Sequence, residues 1–139
     1  MFLAYTLSVP GIEIKICGLD IRRENKVKAL SEFDIAQKYL RVCVKSARNC
    51  NICFKCIRTL LEIDMIGKLE EYRDVFDIEF YLKHRVDIYF SKMVMDSKND
   101  FLNPIYKYFS KKEPILVTKA KIRTFLPRVI RKIKRLVNK

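Results

Sequence analysis

Residues 43–56 read CVKSARNCNICFKC, so Cys43, Cys50, Cys53 and Cys56 stand at the spacing C-x6-C-x2-C-x2-C. Thiolates are soft ligands that hold zinc tetrahedrally, and a C-x2-C step lets two sulfurs reach one ion while the backbone between them turns. Two such steps share Cys53. Arg41, Lys45, Arg48, Lys55 and Arg58 surround the cluster with positive charge, which favours the thiolate form. Free cysteines also serve as small core residues, but a group of this density among polar neighbours fits packing poorly. A ferredoxin-type iron–sulfur run calls for a further Cys followed by Pro, which does not follow Cys56. The expectation is one structural zinc ion in a coordinatively closed site, whose role is folding rather than catalysis.

Outward from the cluster, Ile57, Leu60, Leu61, Ile63, Met65 and Ile66 recur at near-helical spacing and end at Gly67, which predicts a helix over Cys56–Ile66. Glu62, Asp64, Glu70, Glu71 and Asp74 are then expected on its solvated side. Upstream, Tyr39–Cys43 reads as extended. Asp20 is placed to cap a helix ending near Ser31, and a short helix follows over Asp34–Lys38. Ile12–Ile16 alternates as IEIKI, the period of a half-buried strand, and Cys17 reads as a strand-end core residue. Downstream, helices fit Ile78–Lys83, Val86–Met95, Asn103–Ser110 and the basic tail, with Pro114 and Pro127 as punctuation. The fold class expected from this pattern is mainly α with a small β component, α+β.

The 139 residues are 50% hydrophobic, enough for a single core. Two regions are expected within it, a zinc-binding helical domain with one or two short strands over 1–112 and a basic amphipathic helical tail over 113–139. The net charge of +13 is concentrated in that tail: Thr118–Lys139 holds nine basic residues and no acid. Arg128, Arg131, Lys132, Lys134 and Arg135 are its candidate contacts to an anionic surface, with Val129, Ile130, Ile133, Leu136 and Val137 on the opposite helical side. Docking on the body, an anionic membrane surface, and nucleic-acid phosphate are the three uses open to such a helix. Tyr106, Tyr108, Phe109 and Phe125 lie near it and suit a core better than base stacking. The opening MFLAYTLSVP has no basic region and too short an apolar run for a signal peptide, and no stretch is apolar enough to span a membrane. A cytoplasmic location is expected, where cysteines serve metal chemistry rather than disulfides. His84, the lone histidine, has no triad partner nearby and reads as a surface or helix-end residue.

The segments Tyr39–Cys43 and Asn49–Thr59, with Leu60-Leu61-Glu62 and Phe76-Asp77-Ile78 after them, resemble the carboxy-terminal zinc segment of PP-loop (adenine-nucleotide α-hydrolase-like) ATP pyrophosphatases. They are similar in particular to the 7-cyano-7-deazaguanine synthase family and its uncharacterised relatives. Gly18–Val27 resembles the segment leading from a late sheet strand into a helix, and the likeness spans about residues 10 to 82. Asn51 replaces a glycine of the family pattern, a tolerable change because Asn also visits the left-handed conformation. The S-G-G-x-D-S loop that cradles phosphate in the family has no counterpart here.

The resemblance therefore implies a zinc-stapled carboxy-terminal portion of a Rossmann-like protein, truncated or split, with its sheet incomplete. Such a portion is not catalytic by itself, and no catalytic residue is assigned. ATP would enter only with a separate or missing nucleotide-binding half. Asp20, Arg22, Lys26 and Arg58 are candidates for substrate or partner contacts. The alternative is a stand-alone zinc module that binds nucleic acid or an anionic membrane surface through its tail.

Overall fold

The structure, a computed structural model, describes residue 11 and residues 20–137, with side chains through residue 126. In chain order it comprises α1 (Arg23–Leu30), α2 (Asp34–Tyr39), α3 (Phe54–Met65), a 3₁₀ turn (Glu70–Tyr72), α4 (Ile78–Lys83), a π-helical segment (Arg85–Phe90), α5 (Ser91–Met95), α6 (Asn103–Lys112) and α7 (Pro114–Val137).

Helix α3 is the central element because its sequence, FKCIRTLLEIDM, leaves little of its circumference for water. Cys56, Ile57, Leu60, Leu61 and Ile63 are all buried, and so are Thr59 and Glu62. A helix apolar on most sides must be surrounded. Tyr72, Tyr81, Tyr89, Phe90 and Phe109, all fully buried, share its core, and Val117 and Ala120 join that core from α7, which packs on the π-helical segment, α5 and α6. The Tyr81 and Tyr89 rings meet edge-on with centroids 4.5 Å apart, tying α4 to the π-helical segment. At its end, the Gly67 N–H donates to Asp64 O at 3.0 Å and the Lys68 N–H to Ile63 O at 3.2 Å. This paired closure needs a left-handed residue, and Gly67 supplies it at φ 75°.

The α+β expectation is corrected: among the described residues there is no strand, and the architecture is helical. The predicted strand Ile12–Ile16 and Cys17 lie outside the described residues. The extended run before the cysteines has no strand beside it, because one side chain takes the place of a neighbouring strand. Val42 and Cys43 donate their N–H groups to Asn49 Oδ1 at 3.0 and 3.2 Å, and Asn49 Nδ2 donates to Leu40 O at 2.8 Å. Backbone polarity is thus satisfied locally and no ladder is required.

Three boundaries also move. Helix α1 starts at Arg23 with Arg22, not Asp20, at its cap position. Helix α3 begins at Phe54, two residues before Cys56, with Cys53 as its cap residue. Pro114 does open a helix, but Pro127 does not interrupt it: α7 runs on to Val137. Proline at that point forfeits one backbone hydrogen bond, to the carbonyl four residues earlier, while its φ suits a helix.

Two acids expected on the solvated side of α3 are withdrawn from water. Glu62 is 2% exposed and accepts from Arg23 Nε of α1 at 2.8 and 3.1 Å. Asp64 accepts from the Tyr81 hydroxyl and from Arg85, whose Nε and Nη2 lie 2.9 and 2.6 Å away. Arg85 also grips Glu113, at the start of α7, through Nη1 and Nη2 at 2.7 Å each. These acids hold elements together. Glu70, Glu71 and Asp74 are exposed as expected.

Candidate metal centre

The sulfurs of Cys43, Cys50, Cys53 and Cys56 all lie within 4.8 Å of one another. Cys43, Cys53 and Cys56 are buried and Cys50 is half-buried. Two chain segments bring them together. Cys43 ends the extended run, and Cys50 to Cys56 turn into the first turn of α3, whose unpaired N–H groups carry partial positive charge. No acidic residue occupies that first turn, so the sulfurs are the negative groups the helix end meets.

The turn between Cys50 and Cys53 depends on Asn51, which has φ 60°. Asparagine stands there in the left-handed region that its short polar side chain tolerates. The Cys53 N–H donates to Cys50 Sγ at 3.4 Å, and the Lys45 N–H donates to Cys43 Sγ at 3.4 Å. Backbone donors aimed at sulfur are what a thiolate ligand needs from its surroundings.

The thiols titrate unequally. The Lys45 N–H, against the opposing effect of burial, brings the Cys43 thiol down to about 6. Burial works to raise Cys53, but hydrogen bonds from Cys56 and Cys50 outweigh it and the net shift is downward. Cys56 is pushed up, first by burial and then by the neighbouring Cys53 sulfur. Ionised sulfurs in contact repel one another, so this set becomes fully deprotonated only around a cation. A group of four cysteines so placed can hold one metal ion.

Two residues that support the site were not singled out from the sequence. Asn49 orders the run before Cys43, as above, and its Nδ2 also donates to Val75 O at 3.0 Å, joining the loop to the segment before α4. The Tyr89 hydroxyl donates to Asn51 O at 2.9 Å, holding the left-handed turn. Burial, and next the negative charge of Cys56, raise the Tyr89 phenol above its ordinary range and keep it a donor. The asparagine just before Cys50 was visible as a loop residue, but its four bonds span as many as 26 residues of chain and carry no local signature. Asn49→Ala should leave the cysteines in place and weaken metal binding roughly 10- to 100-fold. Competition against a chelator of known affinity measures it, and unchanged affinity would show that the loop holds its shape without the amide.

The other candidates scatter. Asp20, Arg22 and Lys26 are exposed. The guanidinium of Arg22 lies 3.8 Å from Glu24. Arg22 borders a cleft with Arg23, Glu62, Asp100 and Phe101, which Asp20 and Lys26 do not line. Arg58 is half-buried on α3, its guanidinium 5.7 Å from the Phe54 ring centre and 4.8 Å from that of Phe101. Burial, then the nearby Arg23, lower its pKa. Arg128, Arg131, Lys132, Lys134 and Arg135 lie along the backbone of α7, beyond the last side chain described. His84 ends α4 with its ring 4.4 Å from that of Phe80. Of the aromatics near the tail, Phe109 is buried, Tyr106 and Tyr108 are half-buried and Phe125 is exposed.

Compared with protein-family models, curated proteins and solved structures, the chain shows no significant match. The class of protein is therefore defined by its own residues: a helical protein with a four-cysteine site able to hold a metal ion. Among the described residues no helix is long and apolar enough to cross a membrane.

Proposed function

We propose that the chain is a zinc-dependent structural module, related to the zinc segment of PP-loop ATP pyrophosphatases, that completes a substrate site whose nucleotide-binding loop is supplied by another polypeptide region. The mutual approach of the four sulfurs within 4.8 Å carries the metal reading. Four thiolates about 2.3 Å from one ion stand about 3.8 Å apart, the edge of the tetrahedron. A cluster of several irons would hold the ligands further out. The ligand set is closed, so the ion supplies cross-linking between the extended run and α3 and offers no open position to a substrate.

The PP-loop relationship rests on the cysteine spacing and its flanks, with the left-handed Asn51 in the position of the family's glycine. It implies partnership: phosphate cradling needs a Gly-rich loop that this sequence does not contain. Elemental analysis and absorption spectroscopy of reduced protein test the metal, with about one zinc per chain and no visible bands expected. Iron with visible absorption would overturn zinc, and absence of metal would overturn the module itself. Mixing with a PP-loop nucleotide-binding chain tests the partnership. Association and a gain in ATP-dependent pyrophosphate release are expected, and neither appearing would end that reading while leaving the zinc result intact.

A further inference from the structure

Helix α7 uses only part of its circumference to dock. Val117 and Ala120 are buried against the body and Leu116 is half-buried beside them. Arg123 Nη1 pairs with Asp87 of the π-helical segment at 3.1 Å, and Lys121 Nζ lies 5.4 Å from the ring centre of Tyr106. On the remaining circumference Ile115, Ile122, Phe125 and Leu126 are 70%, 55%, 64% and 52% exposed. Large apolar side chains left in water singly are ordinary, but these share one arc.

In the sequence the spacing continues. Ile122, Leu126, Val129, Ile133 and Leu136 follow one another at steps of three and four residues, and the backbone is helical to Val137. At about 100° per residue, these positions with Ile115 and Phe125 fall within an arc of roughly 100°, the width of an amphipathic stripe. The other positions of this stretch carry the nine cations of Thr118–Lys139 and no acid. A second copy on this arc would set cations against cations. Nucleic acid would take the cations and leave the apolar arc in water. An anionic lipid surface receives both, with the arc at the headgroup–acyl boundary and the cations among the headgroups.

We propose that α7 is an interfacial helix that attaches the domain to an anionic membrane surface while its opposite side stays docked through Val117 and Ala120. Its polarity makes it a helix that lies on a bilayer rather than crosses one. The attachment does not depend on the metal reading.

The test is co-sedimentation of the full, metal-loaded chain with phosphatidylcholine vesicles, with and without about 30 mol % phosphatidylserine. Partitioning should be at least about tenfold stronger with the anionic lipid and should weaken as salt is raised. Ile122→Ser combined with Leu126→Ser should reduce it at least about tenfold, since both side chains would otherwise leave water. Circular dichroism should show that this pair leaves the fold intact, as both residues are exposed. Arg131→Gln with Arg135→Gln should reduce it by a comparable factor. Equal partitioning into neutral vesicles, or full retention by the apolar pair, would overturn the proposal. Tight binding to duplex nucleic acid without vesicle binding would assign the cations to phosphate instead. A dimer without lipid that the apolar pair disperses would assign the arc to a second copy.

Discussion

Cys53→Ser is expected to release the bound metal and remove the cooperative unfolding transition of the domain. The residue is 4% exposed, shares both C-x2-C steps and occupies the cap position of α3, where its carbonyl accepts the Ile57 N–H at 2.9 Å. Serine keeps the backbone and nearly the volume of cysteine, so the difference isolates the sulfur. Its hydroxyl ionises far too poorly to replace a thiolate on a soft ion. In small zinc-dependent folds the metal contributes about 10–16 kcal/mol at neutral pH, as much as the whole stability of an ordinary domain. Metal content after gel filtration should fall from about one ion per chain to below about 0.1. The melting transition should broaden or vanish. Chelator treatment of the parent should produce the same end state, which covers a variant too poorly folded to purify. Full metal retention would mean that Cys43, Cys50 and Cys56 hold the ion without Cys53, and metal loss with an unchanged melting curve would mean that packing alone holds the loop.

Arg85→Ala should be the most damaging single change away from the cysteines. The guanidinium joins Asp64 on α3 to Glu113 at the head of α7, with side-chain exposures of 19%, 13% and 22% in turn. It also lies 5.0 Å from the Phe90 ring centre and 5.6 Å from that of Phe109. Burial works against its charge, but the bonds to Glu113 and the neighbouring Tyr81 and Asp64 more than restore it, and its pKa rises. Burial, and then Asp64, likewise raise the Tyr81 phenol, which stays a donor to that carboxylate. Removing the cation strands two partly buried carboxylates, a loss of about 3 kcal/mol at this degree of exposure. For a chain of this size that lowers the melting temperature by roughly 10 °C, measured with metal bound. Arg85→Met with Asp64→Asn and Glu113→Gln should recover much of the loss, because no unpaired charge is left behind. A loss below about 1 kcal/mol for Arg85→Ala would show that water or another cation already screens the pair.

Much of the metal centre was legible because it is local. The cysteines lie within 14 residues, so spacing alone limits which sulfurs can meet. The stop at Gly67 and the tolerance of Asn51 for a left-handed turn are likewise properties of one residue and its immediate neighbours. The helices from Asp34 to Lys112 lie close to their expected places for the same reason, since apolar spacing and caps act over a few residues. Less legible was what satisfies the extended run before Cys43: its partner is the Asn49 amide rather than another strand.

Charge was read least well. Glu62 and Asp64 sit in a helix that looks two-sided, and alternation with apolar residues assigned them to water. Their cations come from 39 and 21 positions away. Sequence by itself determined the ligand chemistry, the helix stops and the acid-free basic tail, because each depends on residue type and short spacing. Tertiary structure decided which acids are buried, which amide and phenol brace the metal loop, and which side of α7 remains in water. Those outcomes depend on elements far apart in the chain meeting in space, and a buried charge is tolerable only where that meeting supplies its partner.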